Sequence, residues 1–492
     1  MTRYSTTTAM TVSLTALCAF AVPASADCVE GGNATDPTLT CSGTDIAPIS
    51  DARDNLSVIF DASAALVRPS GLPVALSGAD QSLANSGLIE STDSGENAVE
   101  GKGPALTVTN SGTIRGGDRG IVLEDDADTF TLTNLSGGEI FARRQAVRLD
   151  DDFALTDTTI TNDGLIQSTD GRAIQSRGPG TTITNTGILR GGEEVVEARE
   201  DFELTNSGTI ALNGLSWDAG TQTWSNDGAT SDEDGVQFAS GTLTNDGVIL
   251  GTDDGIDLDE GTVTNLATGV IVSTGADGDP SDGGSGIDVD ETFEPTVGDD
   301  RASGPLTIVN DGYVEGVRAI GTDPASTAQI TIANSGTLRG RSGTAIELAP
   351  GQGDSSLTLG GESEIFGDVI FGGGDDLLTV GDVSSGKLIN SVFDGGAGEN
   401  TVTFTELALG DVTSARFGVD QISLGLATDD GAISGDFRNF GFWQFGDDGA
   451  LTTAAFRGSL PQAVVVPVPA GLPLLLTALG GLAWLRRRVA RG

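Results

Sequence analysis

An all-β chain wound as a right-handed parallel β-helix (β-solenoid), with a single transmembrane helix at its C-terminal end, is the fold class this 492-residue sequence predicts. Three observations predict it. An asparagine recurs among turn residues, apolar residues stand at fixed offsets from it, and a charge-free terminal run closes in arginines. The composition agrees, since 72 glycines and 5% aromatic residues suit stacked short strands better than compact globules.

Residues 1–26 read as a signal peptide. Arg3 precedes an apolar stretch from Ala9 to Val22, and Ala24-Ser25-Ala26 supplies the small residues that a signal peptidase cuts behind, with Ala24 and Ala26 at the two selective positions. Cys18 leaves with that segment. Residues 27–79 form an N-terminal lead-in or cap, in which Cys28 and Cys41 are the only cysteines left and can pair once exported. Two cysteines without a single histidine do not make a metal site.

Residues 80–350 are the solenoid repeats. Asparagine stands at 85, 110, 134, 162, 185, 206, 245, 265, 310 and 334, mostly 20 to 28 residues apart, in phrases such as LTVTNSGTIRG. An apolar residue lies two positions earlier (Leu83, Val108, Ile183) and another four positions later (Ile89, Ile114, Leu189). In NLSGGEI and NLATGVI two inserted residues move that slot to Ile140 and Ile271. A third apolar element follows in GIVLE, AVRLD, AIQSR, GIDLD and GIDVD. Three short alternating segments per period cannot build a core alone, but stacked coils share one. Asn226, in WSNDG, is expected to fill the long gap after Asn206, and residues 266–309 to hold an insertion or an irregular coil. About eleven coils from Asn85 to Ile346, spaced about 4.8 Å, predict a rod about 50 to 60 Å long. The asparagines suit a tight turn, and their amides can bond along the stack as a ladder.

Residues 351–460 carry the final coils and a C-terminal cap. The cluster Phe437, Phe440, Phe442, Trp443 and Phe445 is expected to close the open end, where unpaired strand edges invite aggregation, or else to bind sugar rings. Residues 461–470 form an extended linker containing Val466, Pro467, Val468, Pro469 and Ala470, whose prolines cannot join a helix. Residues 471–485 are the helix, and the charge-free run from Pro469 to Leu485 reaches about 25 Å, a minimal span. In the 486–492 tail, Arg486, Arg487 and Arg488 belong in the cytoplasm by the positive-inside rule, which places the rest outside.

Charge narrows the function. The formal net charge is −46, and losing Arg3 and the four tail arginines takes it to about −51. A nucleic-acid partner is excluded, because phosphate binding needs a basic footprint. Asp257 and Asp259, then Asp288 and Asp290, are expected on outward positions one coil apart, where a calcium ion would relieve their repulsion or solvent would screen it. Asp376 in GGGDDLLTV and Asn400 in GGAGENTVT are further calcium candidates, or residues of sharp turns. No other cofactor suits the chain. The absence of histidine removes the commonest general base, so no catalytic residue is assigned. An arginine base for polysaccharide β-elimination would have to come from Arg148, Arg177 or Arg199.

The tail resembles the VPLPA variety of C-terminal sorting signal, related to the Pro-Glu-Pro type, that exosortases recognise in Gram-negative bacteria; Val468 stands where that pattern has leucine. The resemblance implies membrane insertion through the helix, then cleavage by an exosortase-type protease and release to the cell surface or extracellular matrix. A permanent single-span anchor is the alternative. Residues 80–350 resemble the β-helical passengers of autotransporter adhesins and, more distantly, the pectate-lyase-like fold. The two glycine-rich phrases are similar to the calcium-binding nonapeptides of RTX proteins, with Phe371 and Asn400 as departures. The expected function is therefore a structural or adhesin-like surface protein meeting acidic exopolysaccharide, and the alternative is a polysaccharide-active β-helix enzyme, lyase or hydrolase.

Overall fold

The repeated phrase folds as a corner between two short strands. In one coil, strand Ala105–Asn110 buries Leu106, Val108 and Asn110 on one side, strand Thr113–Arg115 buries Ile114, and strand Ile121–Leu123 completes the turn of the wall. The alternation of threonine with Leu, Val and Ile puts one apolar set inside every coil, which is the period-two signature of a strand with one covered face. The computed structural model describes residues 27–124, 128–149, 157–229, 232–275, 284–289, 304–324, 326–381, 391–428, 431–461 and 464.

These coils stack in parallel into a β-solenoid. Leu39, Val58, Leu83, Val108, Leu132, Ile160, Ile183, Leu204, Leu243, Val263, Ile308, Ile332, Leu357, Leu378, Val402 and Trp443 follow one another as register partners along the first wall. The second wall aligns Ile89, Ile114, Ile140, Ile166 and Leu189, so the two-residue insertion before Ile140 is absorbed in the turn and leaves the register intact. The third wall aligns Ile121, Val147, Ile174, Val196, Val236, Ile256 and Ile287. All these second- and third-wall residues are fully buried, in one continuous core.

The corner after the first wall has two determinants. Asn85, Asn110, Asn134, Asn162, Asn185, Asn206, Asn245, Asn265, Asn310 and Asn334 form a ladder in which each side-chain Nδ2 donates to the next residue's Oδ1, at 2.7 to 2.9 Å. Ser363 ends it, its Oγ accepting from Asn334 Nδ2 at 3.1 Å. Beside the ladder the corner residue must be glycine: a Cβ on Gly187 would lie 2.2 Å from the carbonyl oxygen of Gly164. Gly208 meets Gly187 in the same way.

Antiparallel strands stand at both ends of the described stack. Asp27–Gly32 pairs antiparallel with Pro37–Ser42, and Cys28 and Cys41 face each other there in a disulfide. At the other end Val412–Phe417, Gln421–Thr428 and Gly431–Arg438 form an antiparallel sheet beside the last coils. Helix Thr453–Ser459, capped by the Thr452 side chain, stacks Phe456 on Trp443 with ring centroids 5.1 Å apart. Phe437, Phe440, Trp443 and Phe445 are buried, so four of the five aromatic candidates serve the closure and offer no face to a sugar.

Two expectations are corrected. Asn206 bonds directly to Asn245, and Asn226 with Trp224 belongs to a separate antiparallel hairpin, Leu215–Asp218 with Thr223–Asn226. Its sequence imitated the repeat because both need a tight Asn-Asp-Gly turn. The stack also begins before residue 80, within the expected lead-in, and runs on into the coils expected after 350: the fifteen steps from Leu39 to Trp443 make it about 70 Å long at about 4.8 Å per step. Among the described residues no helix is long and apolar enough to cross a membrane. The signal segment with Ala24 and Ala26, Asp290, the Val466–Ala470 motif, the expected span and Arg486, Arg487 and Arg488 lie outside the described residues.

Candidate functional site

Two features stand out against the uniform stack: a polar third wall and a groove beneath the hairpin. On the third wall the residue after the first apolar position points away from the core, giving the column Glu100, Val122, Arg148, Gln175, Glu197, Gln237, Asp257 and Asp288. Sequence reasoning expected solvent there, yet Asp257 is 6% exposed and Asp288 8%. Val122, Gln175 and Glu197 of the same column are buried as well.

Charge along the column changes character. In the earlier coils arginines meet the acids: Arg143 pairs with Asp118 at 2.6 Å, Arg172 with Glu193, Glu194 and Glu197, and Arg177 with Glu197 at 3.8 Å. Arg177, nominated above as a base, is thus paired with a carboxylate. Farther along, Asp234, Asp253 and Asp254 bring carboxylate oxygens within 4.8 Å of one another. Asp234 Oδ1 accepts from the Asp254 amide at 3.0 Å, and Asp254 Oδ1 from the Ser285 amide at 2.6 Å. Ser285 Oγ donates to Asp288 Oδ1 at 2.9 Å, and Gln237 Nε2 to Asp257 Oδ2 at 3.1 Å.

Burial, reinforced by the charges of Asp288, Asp234 and Asp253, holds the Asp254 carboxyl well above the usual range. Burial and then Glu194 push Glu233 up to about 8. Such a group settles its charge by keeping protons or by taking a hard cation. Asp257 and Asp288 are register neighbours beside it, whereas Asp259, two residues farther along strand Ile256–Asn265, is half-buried. The spacing of GIDLD and GIDVD revealed Asp257 and Asp288. Asp234, Asp253 and Asp254 were missed, because the acidic turn phrases DEDGV and TDDGI looked like ordinary solvated turns.

The two glycine-rich turns stack on each other. The Asp376 amide donates to Asn400 Oδ1 at 2.8 Å, and the Ser355 amide to Asp376 Oδ1 at 2.7 Å. Asp375 and Glu399 receive the same treatment from one coil earlier: their amides donate to Asp354 Oδ1 and Asp375 Oδ1. These carboxylates therefore act as rungs between turns. Burial, with Asp354 and Asp375 adding to it, raises the Asp376 carboxyl to about 7, and its Oδ2 is buried without a hydrogen-bond partner.

The hairpin grows from the long interval between Asn206 and Asn245 and lies on the outer face of the second wall. Arg190 holds its base by donating to the carbonyls of Leu212 and Leu215 at 3.1 and 2.8 Å. Trp224 Nε1 donates to Glu315 Oε1 at 3.3 Å beneath the Arg341 guanidinium, and Trp217 leans on Tyr313 with ring centroids 5.5 Å apart. Beside Trp217 runs an open groove of about 630 Å³ across successive coils. Its floor is the glycine corner; Glu139, Leu165, Ile188, Thr209, Val248 and Val270 line one side, and Asp163, Thr186, Ser207, Asp246 and Thr268 the other. The sequence signal was the length of the interval and its two tryptophans, of which Trp224, in WSNDG, was assigned to a coil.

No protein-family model, curated protein or solved structure matches this chain.

Proposed function

We infer that the chain is an exported, strongly acidic, right-handed β-helical rod that acts at the cell surface or in the extracellular matrix of a Gram-negative bacterium as a structural or adhesin-like protein. The N-terminal segment directs export. The C-terminal span inserts in the membrane and an exosortase-type protease removes it at the Val466–Ala470 motif. In this reading the rod is not an enzyme, and its partner is matrix polysaccharide met at many points along one wall.

The observation that carries the reading is the unbroken sixteen-rung stack with antiparallel strands at both ends. A structure of that kind offers long, regular, rigid walls and protects its strand edges, as a protein exposed outside the cell requires. The disulfide at the N-terminal end belongs in an oxidising compartment. The acidic groups of the third wall are engaged with arginines or with one another inside the fold, an arrangement of structural use.

The test incubates the purified protein with polysaccharide isolated from the producing cells, with and without calcium, and follows co-sedimentation together with unsaturated-sugar absorbance. Retention without product is the expected result. Time-dependent absorbance would replace this reading with the lyase alternative.

A further inference from the structure

The groove beside Trp217 differs from the rest of the rod in having an aromatic plate set over an otherwise smooth wall. We propose that it is a binding site for a neutral, hydroxyl-rich glycan chain, a conclusion that rests on the matrix reading above and names its ligand class.

Four observations lead there. First, the floor carries no side chains: Gly164, Gly187, Gly208 and Gly247 stack so closely that a Cβ on the last three would lie about 2.1 to 2.2 Å from the carbonyl oxygen of the glycine one coil earlier. The result is a straight channel parallel to the rod axis. An extended chain fits it, and its length matches several sugar units in a row.

Second, the two sides differ in the way a pyranose ring does. Leu165, Ile188, Val248 and Val270 give a mainly apolar strip, interrupted by Thr209 between Ile188 and Val248 and ended by Glu139 beside Leu165, and Ile188 is 41% exposed. Trp217 adds a half-buried indole braced by Tyr313. The C–H faces of a sugar ring pack on such surfaces, while its hydroxyls need partners at the ring edge. The opposite side supplies them. Thr186 Oγ1 donates to Asp163 Oδ1 at 2.5 Å and Thr268 Oγ1 to Asp246 Oδ1, which leaves acceptor lone pairs on both carboxylates and both hydroxyls.

Third, the backbone is already spent. The Thr186 and Gly187 amides donate to the Asn162 carbonyl, Ser207 and Gly208 to Asn185, and Ile188, Thr209 and Val248 to the preceding glycine carbonyls. A peptide therefore cannot add as a strand, which is the usual route by which a sheet captures one. A glycan needs no such bonds.

Fourth, the lining contains Glu139, Asp163 and Asp246 and no lysine or arginine. This rim repels a uronic-acid polymer and accepts hydroxyl donors, so the glycan is neutral, in contrast to the acidic exopolysaccharide expected from the overall composition.

The experiment uses the full chain and follows tryptophan fluorescence during titration with cellohexaose, xylohexaose, hexagalacturonate and hexalysine. Trp217→Ala and Ile188→Arg are compared with the wild type, and melting by circular dichroism checks that each variant keeps its fold. Saturable binding of at least one neutral hexasaccharide is expected, weakened about tenfold by Trp217→Ala and abolished when the Ile188→Arg side chain fills the groove, with hexagalacturonate inert. Failure of both neutral sugars to bind, equal binding by Trp217→Ala, or a preference for hexagalacturonate or hexalysine would overturn the assignment. Retention on the isolated matrix polysaccharide, measured on the same samples, separates the two levels. A wild-type protein that is retained but binds neither neutral hexasaccharide sinks the groove alone; a protein that is not retained sinks the surface reading itself.

Discussion

Replacing Asn185 by alanine tests whether the ladder, rather than the apolar core alone, holds the coils in register. Asn185 is fully buried, accepts from Asn162 Nδ2 at 2.8 Å and donates to Asn206 Oδ1 at 2.8 Å. Alanine there strands a donor below and an acceptor above. At about 1 to 3 kcal/mol for each buried group left unsatisfied, the cost is about 4 kcal/mol. Asn334 is the last rung: its loss strands only Asn310 Nδ2, because Ser363 Oγ keeps its own bond to the Asn334 carbonyl. About 2 kcal/mol is therefore expected for Asn334→Ala. The sharper comparison is the double replacement Asn185→Ala with Asn206→Ala. It strands one donor on Asn162 and one acceptor on Asn245, the same number as the single change. Its cost should exceed that of Asn185→Ala by less than about 2 kcal/mol, well short of the sum of the two singles. Urea unfolding followed by far-ultraviolet circular dichroism measures all four proteins. Additive costs, or equal costs at Asn185 and Asn334, would refute the view that the ladder acts as a connected row of hydrogen bonds.

Other outcomes follow from the same geometry. Gly187→Ala places a methyl group 2.2 Å from the Gly164 carbonyl oxygen and should lower stability by about 2 to 3 kcal/mol in the same urea assay. The Asp376 carboxyl, raised to about 7, favours the neutral form in the folded state; its contribution is complete below the ordinary carboxylate range and is lost as pH climbs through about 7. Asp376→Asn should accordingly gain stability over the wild type between pH 5 and pH 8. Only the stretch from pH 5 to about 7 falls inside that window, which bounds the gain at about 3 kcal/mol, and solvent relaxation brings it below about 2, read from paired unfolding curves at the two pH values. Removing the Cys28–Cys41 disulfide by reduction should cost about 3 kcal/mol, since it closes a short loop, and should loosen the first strands in hydrogen exchange before the middle of the stack.

The stack was legible in the sequence because each wall repeats its inward residue with a fixed relation to one asparagine. Ile140 and Ile271 show how robust that pattern is, for both keep their place despite two extra residues. What escaped was whatever depends on how turns fold back. Asp257 and Asp288 looked outward because the strand alternates, but alternation says nothing about whether the outer face is itself buried. Asp254 could not be singled out from the many acidic turns, since only stacking brings it and its chain neighbour Asp253 to Asp234. The hairpin was misassigned because WSNDG uses the same turn chemistry as the repeat, although its tryptophans pack on the outside of the wall. The coils before residue 80 lack the asparagine phrase, and their pairing emerges only in the fold, where Val58 meets Leu83, Leu66 meets Ile89 and Val74 meets Val99.

Intact-mass analysis of the protein recovered from the outer surface or matrix of the producing cells tests the central claim most directly, because export and sorting each leave a defined terminus. The account predicts a chain beginning at Asp27, oxidised at Cys28 and Cys41, and ending near the Val466–Ala470 motif. Recovery of the unprocessed chain from Met1 to Gly492 in the cytoplasmic fraction, with both cysteines reduced, would contradict it.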